Sequence, residues 1–326
     1  MPRIFPALLA LLCGAPQALA QPSDDAAWPQ KPIRWVVPYA AGGLPDTIAR
    51  LTGQKVGDAL GKQVIVENRG GAGGISGSEA VAHAAPDGYT FLIADVGQVA
   101  VNQFLYARLP YDPAKDFTPV SLIATSTLLL VANAAVPAGN FSELVSYAKS
   151  HPGQLNYGSS GVGSIMHVAI EYMKSSLGLD IVHVPYKGTG EAIPALVGGQ
   201  VSLVYAALPS IEAHIKAGRV KVLAASTAKR ATRAPDVPTV AEAAIPGYDF
   251  APLIGLLAPA GTPPAIVARL AREINKAVNV PEVAQRFAQL DIDAVGSTPE
   301  EYGARIRSAV AKYEQAVKIS GARIDN

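Results

Sequence analysis

From Ile33 to Ala258 the chain alternates short runs of β-branched and aliphatic residues with stretches whose apolar positions recur every three to four residues. That alternation is the signature of helices packed on mainly parallel sheets. The apolar run Ile33 to Val37 predicts a buried strand. Pro45 and Asp46 then open a helix carrying Ile48, Leu51, Val56 and Leu60, with a proline in the first turn and a carboxylate favoured by the helix dipole. Strands follow at Val64 to Val66 and, after a helix from Ser76 to Ala85 and the turn Pro86-Asp87-Gly88, at Thr90 to Ala94. Val120 to Val131 is β-rich, unusually apolar and interrupted only by Thr and Ser, so it reads as extended chain crossing from one half of the protein to the other.

A second set of units begins at helix Glu143 to Ser150, stopped by Pro152-Gly153. It continues through strand Leu155 to Tyr157, a Gly/Ser loop, helix Ile165 to Leu177 stopped by Gly178, and strand Ile181 to Val184. Helix Glu191 to Val197, strand Val201 to Tyr205, helix Ile211 to Ala217 and strand Val220 to Ala225 complete it. A proline-rich stretch from Pro235 to Pro246 leads to strand Leu253 to Ala258, the second crossing. Helices beginning near Pro263, Pro281 and Pro299 close the chain, the last with Tyr302, Ile306, Val310, Tyr313 and Val317 at spacings of three and four. Two crossings predict one lobe from residues 28–128 and 251–326 and another from 129–250. Ligand sites favour clefts between domains and the carboxyl ends of parallel strands, which directs the search to the cleft.

A length of 326 residues suits two such lobes. Lys plus Arg is 27 against 26 acids, and a net charge of +1 lacks the basic field that nucleic acid or an anionic membrane requires. A small molecule is the expected partner. The one cysteine, Cys13, precludes a disulfide framework within a monomer and a cysteine-based zinc site. It lies in a segment with Arg3, an apolar run from Ala7 to Leu12, and Ala18-Leu19-Ala20 at the expected cleavage positions, which reads as signal peptide 1–20. Cleavage after Ala20 exports a thiol-free, formally neutral chain. A buried N-terminal helix fits less well, because the run is short and polar residues follow at once, and a lipid anchor on Cys13 is disfavoured by Leu12 before it. No later run reaches the about 18 apolar residues of a membrane span, the longest, Leu128 to Val136, being interrupted by Asn133, so the mature protein should be soluble.

Three glycine-rich loops each follow a strand and precede a helix: Pro38-Tyr39-Ala40-Ala41-Gly42-Gly43-Leu44-Pro45-Asp46, Gly158-Ser159-Ser160-Gly161-Val162-Gly163-Ser164, and Pro185-Tyr186-Lys187-Gly188-Thr189-Gly190. Glycines let backbone N–H groups converge on a ligand, and helix N-termini add unpaired donors and positive partial charge, so the set suits an anion. The run Asn68 to Gly74 offers a fourth such loop, yet it reads more like a mobile surface connection leading into the helix from Ser76 to Ala85. Phosphate motifs fail: Gly57 to Lys62 is one residue short of a P-loop, and Gly71-x-Gly73 and Gly161-x-Gly163 meet Ser76 and Met166 where a closing glycine belongs. With Lys187 the main cation near the loops, a carboxylate held by backbone donors fits better than a polyphosphate. The histidines His83, His151, His167, His183 and His214 have no metal spacing, no G-x-S-x-G elbow occurs, and the S-x-x-K matches at Ser146 and Ser226 lack their partner motifs. Neither an enzyme nor a cofactor is expected. His167, one turn into the helix after the second loop, could face the cleft or be a core residue.

The string Pro38 to Gly43 with Asp46, Glu67-Asn68-Arg69-Gly70 with Gly71 to Gly74, Pro86-Asp87-Gly88-Tyr89-Thr90, Tyr111-Asp112 with Asp116-Phe117, Pro185-Tyr186-Lys187-Gly188, Gly199-Gln200-Val201 and Ala258 to Pro263 closely resembles the Bug-type solute receptors. These are the periplasmic binding proteins of tripartite tricarboxylate transporters, and the likeness runs in order through essentially the whole mature chain. The resemblance implies a type II periplasmic-binding-protein fold, two α/β lobes joined by two crossing strands, acting as a monomer in the periplasm with membrane transporter subunits as partners. It implies a small organic carboxylate held chiefly by backbone groups and ordered waters from the loops at Tyr39, Ala40, Ala41, Gly42 and Gly43 and at Ser159, Ser160, Gly163 and Ser164, with Asp46 and His167 as further candidates from the residues themselves. Selectivity would come from Lys187, Gly188 and Thr189 and from the strand end at Tyr205 and Ala206. Some relatives are thought to serve membrane sensor kinases, which leaves that role open, and an exported α/β hydrolase or nucleotide-binding enzyme, or a structural envelope protein, are the rivals from other classes. The chain departs from the family pattern at Asp95-Val96, at Ala206-Ala207 and at Leu253-Ile254 before Gly255. If Asp95 faces the cleft it repels a second ligand carboxylate and favours a donor, which points to a ligand with one carboxylate; otherwise it caps the following segment at the surface.

Overall fold

The computed structural model describes residues 28–320. The signal segment expected at 1–20, with Cys13 and the cleavage after Ala20, lies outside the described residues. The strands are β1 Ile33–Val37, β2 Val64–Asn68, β3 Thr90–Ala94, β4 Phe117–Ser126, β5 Leu128–Asn133, β6 Leu155–Ser159, β7 Ile181–Pro185, β8 Leu203–Ala207, β9 Val220–Ala225, β10 Leu253–Pro259 and β11 Ile292–Ala294. The helices are α1 Leu44–Leu60, α2 Ile75–Ala82, α3 Asn102–Leu105, α4 Phe141–Ser150, α5 Ile165–Leu177, α6 Thr189–Val197, α7 Leu208–Lys216, α8 Val240–Ala243, α9 Pro264–Asn279, α10 Pro281–Gln289 and α11 Pro299–Ser320.

The strands form two sheets, a six-stranded one ordered β11-β4-β10-β3-β1-β2 and a five-stranded one ordered β7-β6-β8-β5-β9. Two sheets with helices packed on them are the α/β architecture that the alternation of strand and helix predicts. The sheets are more mixed than the expected parallel ones. β1 pairs parallel with β2 and β3, and β6 with β7 and β8, but β10 runs antiparallel to β3 and β4, and β5 antiparallel to β8 and β9. The reason is the route of the chain. The parallel strands end at the cleft, whereas β5 and β10 are crossing strands that enter their sheets from it, so they travel the opposite way.

The apolar run expected to cross as one extended segment is two strands broken at Thr127. The crossings lie side by side: Leu128 N–H donates to Ser226 Oγ at 3.2 Å, Phe250 N–H to the Ser226 carbonyl at 2.7 Å, and Ser226 Oγ to the Phe250 carbonyl at 2.8 Å. The Thr127 and Thr227 hydroxyls meet at 3.1 Å. Helix starts differ where a cap decides them. α4 begins at Phe141 because Asn140 accepts the Glu143 N–H, and α6 begins two residues before the expected Glu191. The strand read as Val201 to Tyr205 lies at Leu203–Ala207, since Gln200 and Val201 still turn back onto the Ala195 carbonyl.

α11 serves both sheets. Its first half packs on β4, and the Tyr302 ring presses so closely on β10 that a Cβ at Gly255 would stand 2.3 Å from its Cζ. Its second half lies along α5, with Ser175 Oγ donating to the Ile319 carbonyl at 2.8 Å and Tyr313 edge-on to Phe250 at 5.7 Å.

Candidate ligand-binding cleft

Loops at the carboxyl ends of β1, β2 and β3 meet loops at the ends of β6 and β7 along a seam of backbone on backbone. Ala40 N–H donates to the Lys187 carbonyl at 3.3 Å. A Cβ on Gly188 would stand 2.8 Å from Ala40 N, one on Gly190 2.4 Å from the Ala41 carbonyl oxygen, and one on Gly73 2.1 Å from that of Val162. Any side chain at these points would hold the seam apart, which is the physical demand behind the glycines. The run Asn68 to Gly74, read from the sequence as a surface connection, is therefore part of the closing seam.

Behind the seam is a cavity of about 20 Å³, room for about one water molecule. It is lined by the first residues of four helices: Leu44 and Pro45 of α1, Ile165 and Met166 of α5, Thr189 of α6 and Ser210 of α7. The crossing segments contribute Leu128, Pro252 and Ile254, and Tyr39, Asp95, Ser160 and Ala207 complete the wall. First-turn N–H groups have no partner within their own helix and carry positive partial charge, so convergent N-termini stabilise an anion without a cationic side chain. A wider hollow of about 770 Å³ beside α1 and β2 is open surface lined by Arg50, Asp58 and Lys62.

Asp95 is buried and lines the cavity, so the surface-cap alternative does not describe it. Its Oδ1 accepts the N–H groups of Val96 at 2.7 Å and Leu253 at 3.0 Å. Burial pushes its carboxyl up to about 6, against the pull of those two bonds. Next to it a single π-helical turn, 97–101, carries Gln98. Gln98 Oε1 accepts the Asp95 N–H at 2.9 Å, and its Nε2 donates to Tyr39 Oη at 2.8 Å and to the Gly73 carbonyl at 3.2 Å. Asn102 donates to Tyr111 Oη at 3.2 Å, and Tyr111 to the Gln98 carbonyl at 3.1 Å. Burial raises the Tyr39 phenol far above its ordinary value, with the Asp95 charge adding to the effect, so it stays a neutral hydroxyl. Sequence reasoning missed Gln98 and Asn102; their signal was two amides one helical turn apart inside the apolar run Val96 to Leu105.

Of the residues expected at the site, Tyr39, Asp95, Ser160 and Thr189 line the cavity. Ala40, Ala41, Gly43 and Gly188 lie in the seam, and a Cβ on Gly163 would stand 2.3 Å from Asn102 Oδ1. Asp46 braces the first loop. Its Oδ2 accepts Gly42 N–H at 3.0 Å and its Oδ1 the Arg50 Nε–H at 2.9 Å, while Arg50 also donates to Asn68 Oδ1 and Asn68 to the Tyr39 carbonyl. Burial alone would raise the Asp46 carboxyl, but these bonds outweigh it and lower it. Ser164 caps α5 by accepting His167 N–H. His167 sits behind the second loop, its Nδ1 accepting the Gly163 N–H at 3.3 Å and its ring stacked at 4.3 Å on His183, whose Nε2 meets Ser159 Oγ at 2.7 Å. The Lys187 side chain is exposed. Tyr205 points into the core, its hydroxyl on that of Tyr248 at 3.0 Å, and Ala206 packs on the opposite face of β8, so Ala207 is the residue of that strand at the cavity.

Among the described residues no group of three His, Cys, Asp or Glu side chains could hold a metal, and no helix is long and apolar enough to cross a membrane. Two α/β sheets flanking a cavity lined by helix N-termini are an arrangement suited to holding a small solute. The family model for the tripartite tricarboxylate transporter family receptor matches residues 48–321, and the chain belongs to that periplasmic receptor family. It is 33% identical over 311 residues to the protein BugT of Bordetella pertussis, covering 95% of each chain. The fold matches R. palustris Rpa4515 with adipate at a TM-score of 0.88 and 34% identity, over 91% of this chain and 100% of that one. It matches MatC from Rhodopseudomonas palustris with bound malate at 0.85 and 34%, over 89% and 100%.

Proposed function

We propose that this receptor captures a small organic carboxylate in the cavity between two lobes, residues 28–128 with 251–326 and residues 129–250, and presents it to membrane components of a tripartite transporter. It performs no chemistry. The observation that carries the reading is the convergence of the α1, α5, α6 and α7 N-termini on one inter-sheet cavity that no Lys or Arg side chain lines. Neighbours solved with adipate and malate support the ligand class. Ligand bridging both lobes shifts the open–closed equilibrium by its differential affinity for the closed state. The working form is the exported monomer cleaved after Ala20, with ligand contacts from Tyr39, Ser160, Thr189 and the backbone of the glycine loops.

The test is a thermal-shift and calorimetry panel of mono-, di- and tricarboxylates on the mature protein. A ligand at 100 times its dissociation constant adds about 2.7 kcal/mol to folding stability, so at least one carboxylate should raise the melting temperature saturably. No response from any carboxylate, or turnover of one, overturns the reading.

A further inference from the structure

The cavity wall carries one ionisable carboxyl group and no cationic side chain to balance it. Asp95 is 4% exposed and lines the cavity, and both of its backbone hydrogen bonds fall on Oδ1, which fixes the group. The other polar liners, Tyr39, Ser160, Thr189 and Ser210, present hydroxyls. The charged form of Asp95 is disfavoured by burial, and the tyrosines whose phenols its charge affects, Tyr39, Tyr302 and Tyr313, are themselves held neutral. The helix N-termini offer donors to an anion, while Asp95 offers only acceptors when ionised.

Resting on the carboxylate reading above, we propose that the cleft selects a zwitterionic monocarboxylate, with its carboxylate on the helix N-termini and a cationic nitrogen against Asp95. A second carboxylate beside Asp95 would place two like charges in a water-poor cavity, where one must be neutralised by a proton before both can stay. A cationic nitrogen supplies the missing counter-charge and donates to the Asp95 carboxylate. Selectivity then comes from repulsion of the wrong ligand as much as from attraction of the right one.

The test compares ligands alike in length and different at one end. Calorimetry at pH 7.5 would use glutarate, 5-hydroxypentanoate and 5-aminopentanoate, the matched six-carbon set from adipate, and the common α-amino acids. Expected is at least about tenfold tighter binding of an amino acid than of the hydroxy acid or the diacid of its length, a difference of about 1.4 kcal/mol. Asp95→Asn should cut the affinity for the amino ligand about tenfold and leave the diacid unchanged or tighter. A diacid or hydroxy acid binding as well as its amino counterpart overturns the zwitterion inference and leaves the carboxylate receptor standing. Binding of none of these compounds overturns the zwitterion inference, while the wider carboxylate panel above decides the receptor reading. Should Asp95→Asn fail to fold, the ranking on the unaltered protein decides.

Discussion

At the scale of single residues, the site is built by side chains that hold backbone rather than by side chains that reach for ligand. Asp46 shows this best: a carboxylate that the sequence pattern places at a helix start bends back to fix Gly42 and anchors Arg50, which in turn holds Asn68 and, through it, the Tyr39 carbonyl. Replacing it removes an acceptor and leaves the Gly42 N–H without its partner, a loss of about 1–3 kcal/mol for a charge-assisted bond. Asp46→Ala should therefore lower stability by about that amount and weaken carboxylate binding about tenfold, although Asp46 does not line the cavity; calorimetry beside a thermal melt reads both, and unchanged affinity would refute the bracing role. Periodicity made the loop and its helix legible. It did not reveal which way a carboxylate on that helix turns, because that depends on Asn68, which β2 brings alongside from 22 positions away in sequence. The same limit hid Gln98 and Asn102, whose partners Asp95, Tyr39 and Gly73 come together only in the fold.

At the scale of elements, glycine marks where one element lies directly on another, and two substitutions separate the consequences. Gly190 is in the first turn of α6, where alanine is the better helix former by up to about 1 kcal/mol, yet its Cβ would stand 2.4 Å from the Ala41 carbonyl oxygen across the seam. That clash exists only when the seam is closed. Gly190→Ala should leave the melting temperature of the ligand-free protein unchanged or higher while weakening ligand binding several-fold; unaltered affinity would show that the seam does not close in the bound state. Gly255 faces the Tyr302 ring within β10 itself, and no rigid-body motion relieves a Cβ there. Gly255→Ala should cost about 1–3 kcal/mol as an overpacking change, read as a lower denaturation midpoint with an unchanged slope. Both contacts are invisible in the chain's pattern, which located strands and helices by period but carried no information on which glycine meets which partner. The short pieces escaped for a related reason: β11 and α8 are too brief to show a period, and each is held by a neighbour, β11 by β4 and α8 by the Thr239–Glu242 capping box.

At the scale of the whole molecule, stability near neutral pH should depend chiefly on two sets of groups of opposite sign, a pair of histidines and one carboxyl. His167 and His183 are held neutral, the first lowered to about 4 by burial and then by the Lys174 charge, the second to about 3 by burial and then by His167, with Lys174 adding to the effect and Glu171 opposing it. Tyr157 stacks on His183 and bonds Glu171, and Lys174 pairs with the same carboxylate, so the cluster is closed around the imidazoles. Between their ordinary value of 6.5 and these lowered values the unfolded chain binds more protons than the folded one, so the stability they contribute is complete above 6.5 and is lost as pH falls below it. Asp95, raised from 3.8 to about 6, binds its proton in the fold first and stabilises as pH falls through 6. Two groups oppose one, and from 6.5 to 6 the histidines act almost alone. The melting temperature should therefore drop between pH 7.5 and pH 5, a window above the range where Asp46 and Glu212, both lowered, take up protons. His183→Gln should flatten that slope and Asp95→Asn should steepen it. Melts of the three proteins across the window give the answer, and a parallel shift of all three curves without a change of slope would refute the assignment.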